Sequence, residues 1–298
     1  MSWLGEVEDE LVARRVRRSV RERLLAELAD HRACEPGSEP TRLGSPRDLA
    51  ARYADELAGA DACRAALSAF AALALTAAAV LVMQVTLGGI GYPGFDHGFS
   101  AALSGPAILI LVFGSQVALV AGTLAAWRAV RRRREPVLPG AEVELLNRRT
   151  RVALAAGFAV SAAIALYVID FADVLPVWWL VLAGALALAA ATALAASWRA
   201  VAIGAGTVSL ATGPAGDVYD DLPPLRRLRG HPLRLWAAVG LLSGVAMTLF
   251  EWHAERSLAE GLQRGVAEAL AFTICFVALG RAIGAIGGSS ESAENGPP

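Results

Sequence analysis

Leu43-Gly44-Ser45-Pro46-Arg47-Asp48-Leu49-Ala50-Ala51-Arg52-Tyr53-Ala54-Asp55-Glu56-Leu57 decides how this chain is built. Ser45 is an N-cap residue, Pro46 suits the first helical position, and Asp48 stands three residues after the cap. Leu49, Tyr53 and Leu57 then repeat every four residues, so a helix starts here with one apolar face. A few residues further on, an apolar run occupies 65–87. The spacing predicts that this polar helix runs close to, or into, a membrane span.

Working back from Leu43, residues 35–40 (Glu-Pro-Gly-Ser-Glu-Pro) form a breaker cluster. Before it, Leu4, Val7 and Leu11, then Val16, Val20, Leu24 and Leu28, fall at helical spacing with charges on the other faces. Two short helices are expected, near 3–13 and 16–33. Residues 13–18 (Ala-Arg-Arg-Val-Arg-Arg) contain no Gly or Pro, so the two are open to being one continuous helix.

Working forward, six apolar stretches are long enough to cross a hydrocarbon core, which takes about 20 helical residues. They lie near 65–87, 104–127, 152–171, 176–198, 235–252 and 266–286. The expected fold class is all-α: a polytopic membrane protein with six transmembrane helices and an N-terminal cytoplasmic helical domain over 1–62. Residues 63–286 form the membrane body, and 287–298 a disordered tail. The chain is 55% hydrophobic and only 18% charged, which fits this class better than a soluble one. Twenty-five arginines fall in the prefix, the tail and alternate connections, against two, Arg256 and Arg264, in the others. The positive-inside rule puts both termini in the cytoplasm. Trp127, Trp198 and Trp236 mark the inner ends of spans; Trp178, Trp179 and Trp252 mark the outer ends. The expected location is a bacterial cell membrane.

The chain contains no lysine. That excludes a Walker A phosphate loop and Schiff-base chemistry. The glycine-rich residues 204–216 therefore read as a loop. Residues 217–227 pass from acidic to basic and read as a loop returning to the bilayer. Cys34, Cys63 and Cys275 make no CxxC pair, and His31 with Cys34 supplies only two ligands. The acidic N-terminus has no apolar signal region. On the outer side, Asp96, His97, Asp170, Asp173, Glu251, His253 and Glu255 are the groups from which a metal or pH-sensing site would have to be built. Gln84, Gln116 and Glu268 are the polar exceptions inside spans, and packing explains them more simply than transport. Gly240-xxx-Gly244 and Gly280-xxx-Gly284 permit close helix contact. The Arg131–Arg134 run follows a span directly, so topology and anionic-lipid contact explain it better than DNA binding. No catalytic constellation, cofactor or metal site is expected.

The prefix resembles the HAAS family, α-helical signalling domains at the N-terminus of bacterial membrane proteins, also known as a permease prefix domain. The residues that carry the resemblance are Leu4 and Leu11, the helix end Leu24-Leu25-Ala26-Glu27-Leu28-Ala29-Asp30-His31, and the helix start Leu43-Gly44-Ser45-Pro46-Arg47-Asp48-Leu49-Ala50. It covers about residues 3–60. It implies a signalling role and a PadR-type winged-helix transcription regulator as partner. On that basis Leu24, Leu28, His31, Leu43, Gly44, Pro46, Leu49 and Tyr53 are the expected partner-binding residues. The alternative is the permease subunit of an ABC-type exporter, with an ABC ATPase as partner. A second copy of the chain and the lipid bilayer complete the expected partners; direct nucleic-acid binding is not expected.

Overall fold

In the computed structural model, residues 2–34, 44–89, 110–204 except 136, 171, 173 and 174, scattered positions from 234 to 249, and 258–282 are described. Among them the chain is all-helical, without strands.

Helix α1 is Trp3–Ala13, capped by Ser2, whose Oγ accepts from the Gly5 N–H at 3.2 Å. It does not continue into α2, Arg18–Cys34. Arg15 takes a left-handed conformation at φ 58°, and the Arg15 and Val16 N–H groups turn back to the Val12 and Leu11 carbonyls. The break therefore occurs with no glycine or proline to announce it. The turn lets α2 fold back on α1. Val7, Leu11 and Val16 meet Leu24 and Leu28 in a small core closed by Ala50 and Ala54 of α3, Pro46–Gly89. The first sixty residues thus bury apolar side chains against one another instead of waiting for an external surface.

Helix α3 starts as its sequence dictates. Gly44 has φ +86°, a conformation glycine takes without strain. Ser45 Oγ then accepts from the Asp48 N–H at 3.1 Å and donates to Asp48 Oδ2 at 2.7 Å. No break follows for 44 residues. Such a helix is roughly 66 Å long, about twice the hydrocarbon thickness of a bilayer. Its first third closes the small core, and beyond Arg64 it is largely apolar.

Three described helices are long and apolar enough to cross a membrane: the one beginning at Pro46, and those covering Gly140–Leu166 and Val177–Gly204. After a π-helical turn at Ile110–Gly114 come α4 (Ser115–Arg132), α5 (Gly140–Asp170) and α6 (Val177–Gly204). α3 and α6 are pinned at two levels. Trp179 Nε1 donates to Thr86 Oγ1 at 3.0 Å, and Ser197 Oγ donates to the Ser68 carbonyl at 3.1 Å. The pairs are eighteen residues apart on each helix, the register of an antiparallel pair. Small residues set the spacing elsewhere. A Cβ at Gly157 would lie 2.6 Å from Leu73 Cδ2, and one at Gly122 2.9 Å from Leu73 Cδ1. Leu73 fills the gap that those two glycines leave.

Large apolar side chains face outward on these helices. Leu81 is 61% exposed, Ile169 70% and Val181 67%. Such exposure is costly in water and neutral in lipid. Trp127, Trp178 and Trp198 are exposed, as interfacial rings should be. Trp179 is not: it is 2% exposed and packs with Met83, Leu175 and Ala183, so it is a core residue and not part of an aromatic belt.

Residues 216–298 form a separate compact unit. Within it, α7 is Leu258–Ala282. Gly240 and Gly244 pack closely on α7: a Cβ at Gly240 would lie 2.6 Å from the Ala269 carbonyl, and one at Gly244 2.5 Å from the Gly265 carbonyl. The Gly240-xxx-Gly244 spacing therefore does bring two backbones together. Gly284 and the tail 287–298 lie outside the described residues.

Candidate functional site

The part of α3 between the small core and the apolar run is where the two halves of the first unit meet. Ala58, Ala62, Cys63 and Ala66 pack there on Ala125 and Ala129 of α4, Leu138, and Val143 and Leu146 of α5. Gly59 lies against Leu138, so close that a Cβ would approach its Cγ to 3.2 Å.

Ion pairs surround this contact. Asp61 is nearly buried and pairs with Arg17 in the α1–α2 turn at 2.5 Å and with Arg64 at 3.3 Å. The α6 end packs on the same residue: a Cβ at Gly204 would lie 3.4 Å from Asp61 Cβ. Asp61 thus touches the prefix, α3 and α6 together. Beside the α4–α5 connection, Arg128 and Glu142 are each 1% exposed and bonded side-on through Arg128 Nε and Nη2. Arg128 Nη2 donates to Glu142 Oε2 at 2.8 Å, and Arg132 Nε stands 3.7 Å from Glu142 Oε1. Glu142 is in the first turn of α5, the helix end that favours a negative charge. Arg149, Asn147 and Thr150 are buried on the same helix.

A buried, bidentate ion pair does little for net stability, but it penalises every arrangement that separates its members. Here it fixes one geometry of α4 against α5 at the level where the prefix helix enters the membrane body. Cys63 is buried at this contact. Cys34 is exposed at the end of α2. Maleimide at neutral pH should therefore modify Cys34 readily and Cys63 far more slowly, because a buried thiol is out of the reagent's reach. Peptide mapping by mass spectrometry measures both; equal rates would mean that the junction is open.

The sequence-predicted residues divide into two groups. Leu24 and Leu28 are buried, and Leu49 and Tyr53 pack on the same small core. They come together as its interior, not as an open face. His31 is exposed in the last turn of α2, Gly44 is exposed before α3, and Pro46 is the first residue of α3. Leu43, His97 and His253 lie outside the described residues, as do Asp96, Asp173, Glu251 and Glu255. Gln116 is half-buried on α4. Among the described residues no group of three or more His, Cys, Asp or Glu is placed to hold a metal.

Comparison with family models, with curated proteins and with solved structures finds no match. The site is thus read from its own chemistry. Sequence reasoning missed Arg128–Glu142. The signal was there: Glu142 directly precedes Val143, Leu145 and Leu146, and Arg128 comes three residues before the run assigned to topology.

One cavity of about 950 Å³ lies in the apolar region, lined by Leu73, Met83, Leu111, Gly157, Ile164 and Trp179 among others. Two of its polar groups are bonded within or between helices. Thr76 Oγ1 donates to the Ala72 carbonyl, and the Trp179 N–H goes to Thr86.

Proposed function

We propose that this chain is an integral membrane signalling protein. In this reading six spans cross a bacterial cell membrane, both termini are cytoplasmic, and the HAAS-like prefix couples the state of the spans to a cytoplasmic PadR-type transcription regulator. The observation that carries the proposal is α3, one uninterrupted helix that closes the prefix core at one end and belongs to the membrane body at the other. A displacement of the spans would move the prefix directly, because a helix transmits axial and rotational shifts that a loop would absorb. The Asp61 and Arg128–Glu142 contacts give the junction a discrete geometry to hold or to lose.

The permease reading has weaker support. A path for polar cargo needs polar groups to spare, and Thr76 and Trp179 in the cavity wall are already bonded. Membranes carrying the full chain should retain a PadR-type regulator on sedimentation, and membranes carrying the chain without residues 1–60 should not. Equal retention overturns the proposal; retention of an ABC ATPase in its place supports the permease.

A further inference from the structure

We propose that the α1–α2 turn, residues 14–18, is a docking surface for the anionic lipid headgroups of the membrane that the chain itself spans. The inference rests on the membrane reading with a cytoplasmic prefix, and adds to it a binding partner for the prefix other than a regulator.

The turn carries Arg14, Arg15, Arg17 and Arg18 and no acidic residue; Arg14 Nε and Nη1 are buried, so Arg15, Arg17 and Arg18 are the cations it presents. A basic turn on a water-soluble prefix would ordinarily need no membrane. The tertiary structure places this one at a particular height. Arg17 pairs with Asp61, one helical turn before the apolar run at 65, or about 6 Å along α3. The exposed Trp198 follows Ser197, which bonds the Ser68 carbonyl, so the ring stands about 10 Å further along the same axis. Trp rings mark the boundary of the hydrocarbon, and the headgroup layer extends about 5–8 Å beyond it on each side. The turn therefore stands about 2–5 Å beyond that layer, within reach of an arginine side chain.

Other elements supply cations at the same level. Leu138 packs on Gly59, so the α4–α5 connection with exposed Arg133 and Arg134 lies beside the junction. Exposed Arg64 is on α3 itself. Several nearby acids are already paired, while Glu6, Asp9 and Glu10 stand on α1 before the turn. Asp61 is shared by Arg17 and Arg64, Glu8 faces Arg21, and Glu22 faces Arg18. The last pair is exposed, with the Arg18 side chain 83% accessible, and such a pair contributes too little to compete with a phosphate surface. Arg15 is exposed at a left-handed backbone position, φ 58°. Charge, height and exposure agree on one occupant, a layer of phosphate groups.

The test uses the full chain in lipid nanodiscs, with Cys34→Ser, Cys63→Ala, Cys275→Ala and a fluorophore on Ser19→Cys, an exposed position beside the turn. A lipid with a spin-labelled headgroup is the quencher. Quenching should be stronger in discs containing phosphatidylglycerol than in phosphatidylcholine alone, and should fall as salt is raised. Each arginine near an anionic surface is worth about fivefold, so Arg15→Gln with Arg18→Gln should lower the docked-to-undocked ratio about 30-fold. Arg23→Gln, the same charge loss further along α2, should leave it unchanged. Equal quenching in the two lipids, or quenching indifferent to salt, overturns the proposal; the salt titration needs no arginine substitution and decides even if the double variant fails to fold. Reconstitution into discs tests the membrane reading separately, and regulator capture can fail without altering this result.

Discussion

Arg128→Met should destabilise the protein by about 3–5 kcal/mol, the largest effect expected of any single substitution at the junction. The cost comes from a buried carboxylate that loses its bidentate partner and keeps Arg132 Nε only at 3.7 Å, too far for a hydrogen bond. Glu142 is 1% exposed, so bulk water does not replace the guanidinium. Glu142→Gln removes the other partner and should cost a similar amount. Removing both, as Arg128→Met with Glu142→Leu, should recover most of the loss, because two apolar side chains of similar volume suit that environment. Arg134→Gln, an exposed neighbour, should stay within about 0.5 kcal/mol. Unfolding of the full chain in detergent measures all four. A single variant as stable as the parent would mean that water reaches the pair.

Ala60→Pro tests the other device, the unbroken helix. Ala60 is exposed, so its side chain has no packing to lose. Proline there removes the hydrogen bond to the Glu56 carbonyl and its ring clashes with that turn, a cost of about 3 kcal/mol or more. The span beyond residue 65 needs no help from residue 60 to insert, so the variant should still partition with membranes. Its local opening should increase about a hundredfold, at 1.4 kcal/mol for each factor of ten. Limited trypsin digestion reads this at Arg64, whose side chain is 74% exposed but whose backbone is helical in α3. Ala60→Gly, costing about 1 kcal/mol, should raise cleavage only about fivefold. If proline and glycine variants are cut at the parent's rate, α3 is not continuous through residue 60. If Ala60→Pro also abolishes regulator capture while the prefix core survives, the helix is the transmitting element.

Several features were legible in advance because their causes are local. Ser45 with Asp48 is a cap that depends on four residues, and α3 begins there. Leu24, Leu28, Leu49 and Tyr53 share helical faces whatever they meet. The Gly240-xxx-Gly244 pair lacks side chains at one face, and α7 fills the space. Other features were not legible because their causes are distant in sequence. Nothing between Ala13 and Arg18 breaks a helix by composition; the break at Arg15 exists because Leu24 and Leu28 gain more by folding onto Val7 and Leu11 than the turn costs. Trp178 and Trp179 look equivalent, yet α-helical rotation sends one outward and the other onto Met83 and Ala183.

By itself, then, the sequence determined an all-helical chain with membrane-length apolar helices, a charged prefix and the residue at which α3 starts, since length, hydropathy and capping act over one segment at a time. Tertiary structure alone decided that the prefix has its own core, that Arg17 meets Asp61 across 44 residues, and that Arg128 and Glu142 share a buried site. A charge shows its partner only once the chain has brought the two together, and burial, which gives each pair its weight, belongs to the packed helices and not to any one of them.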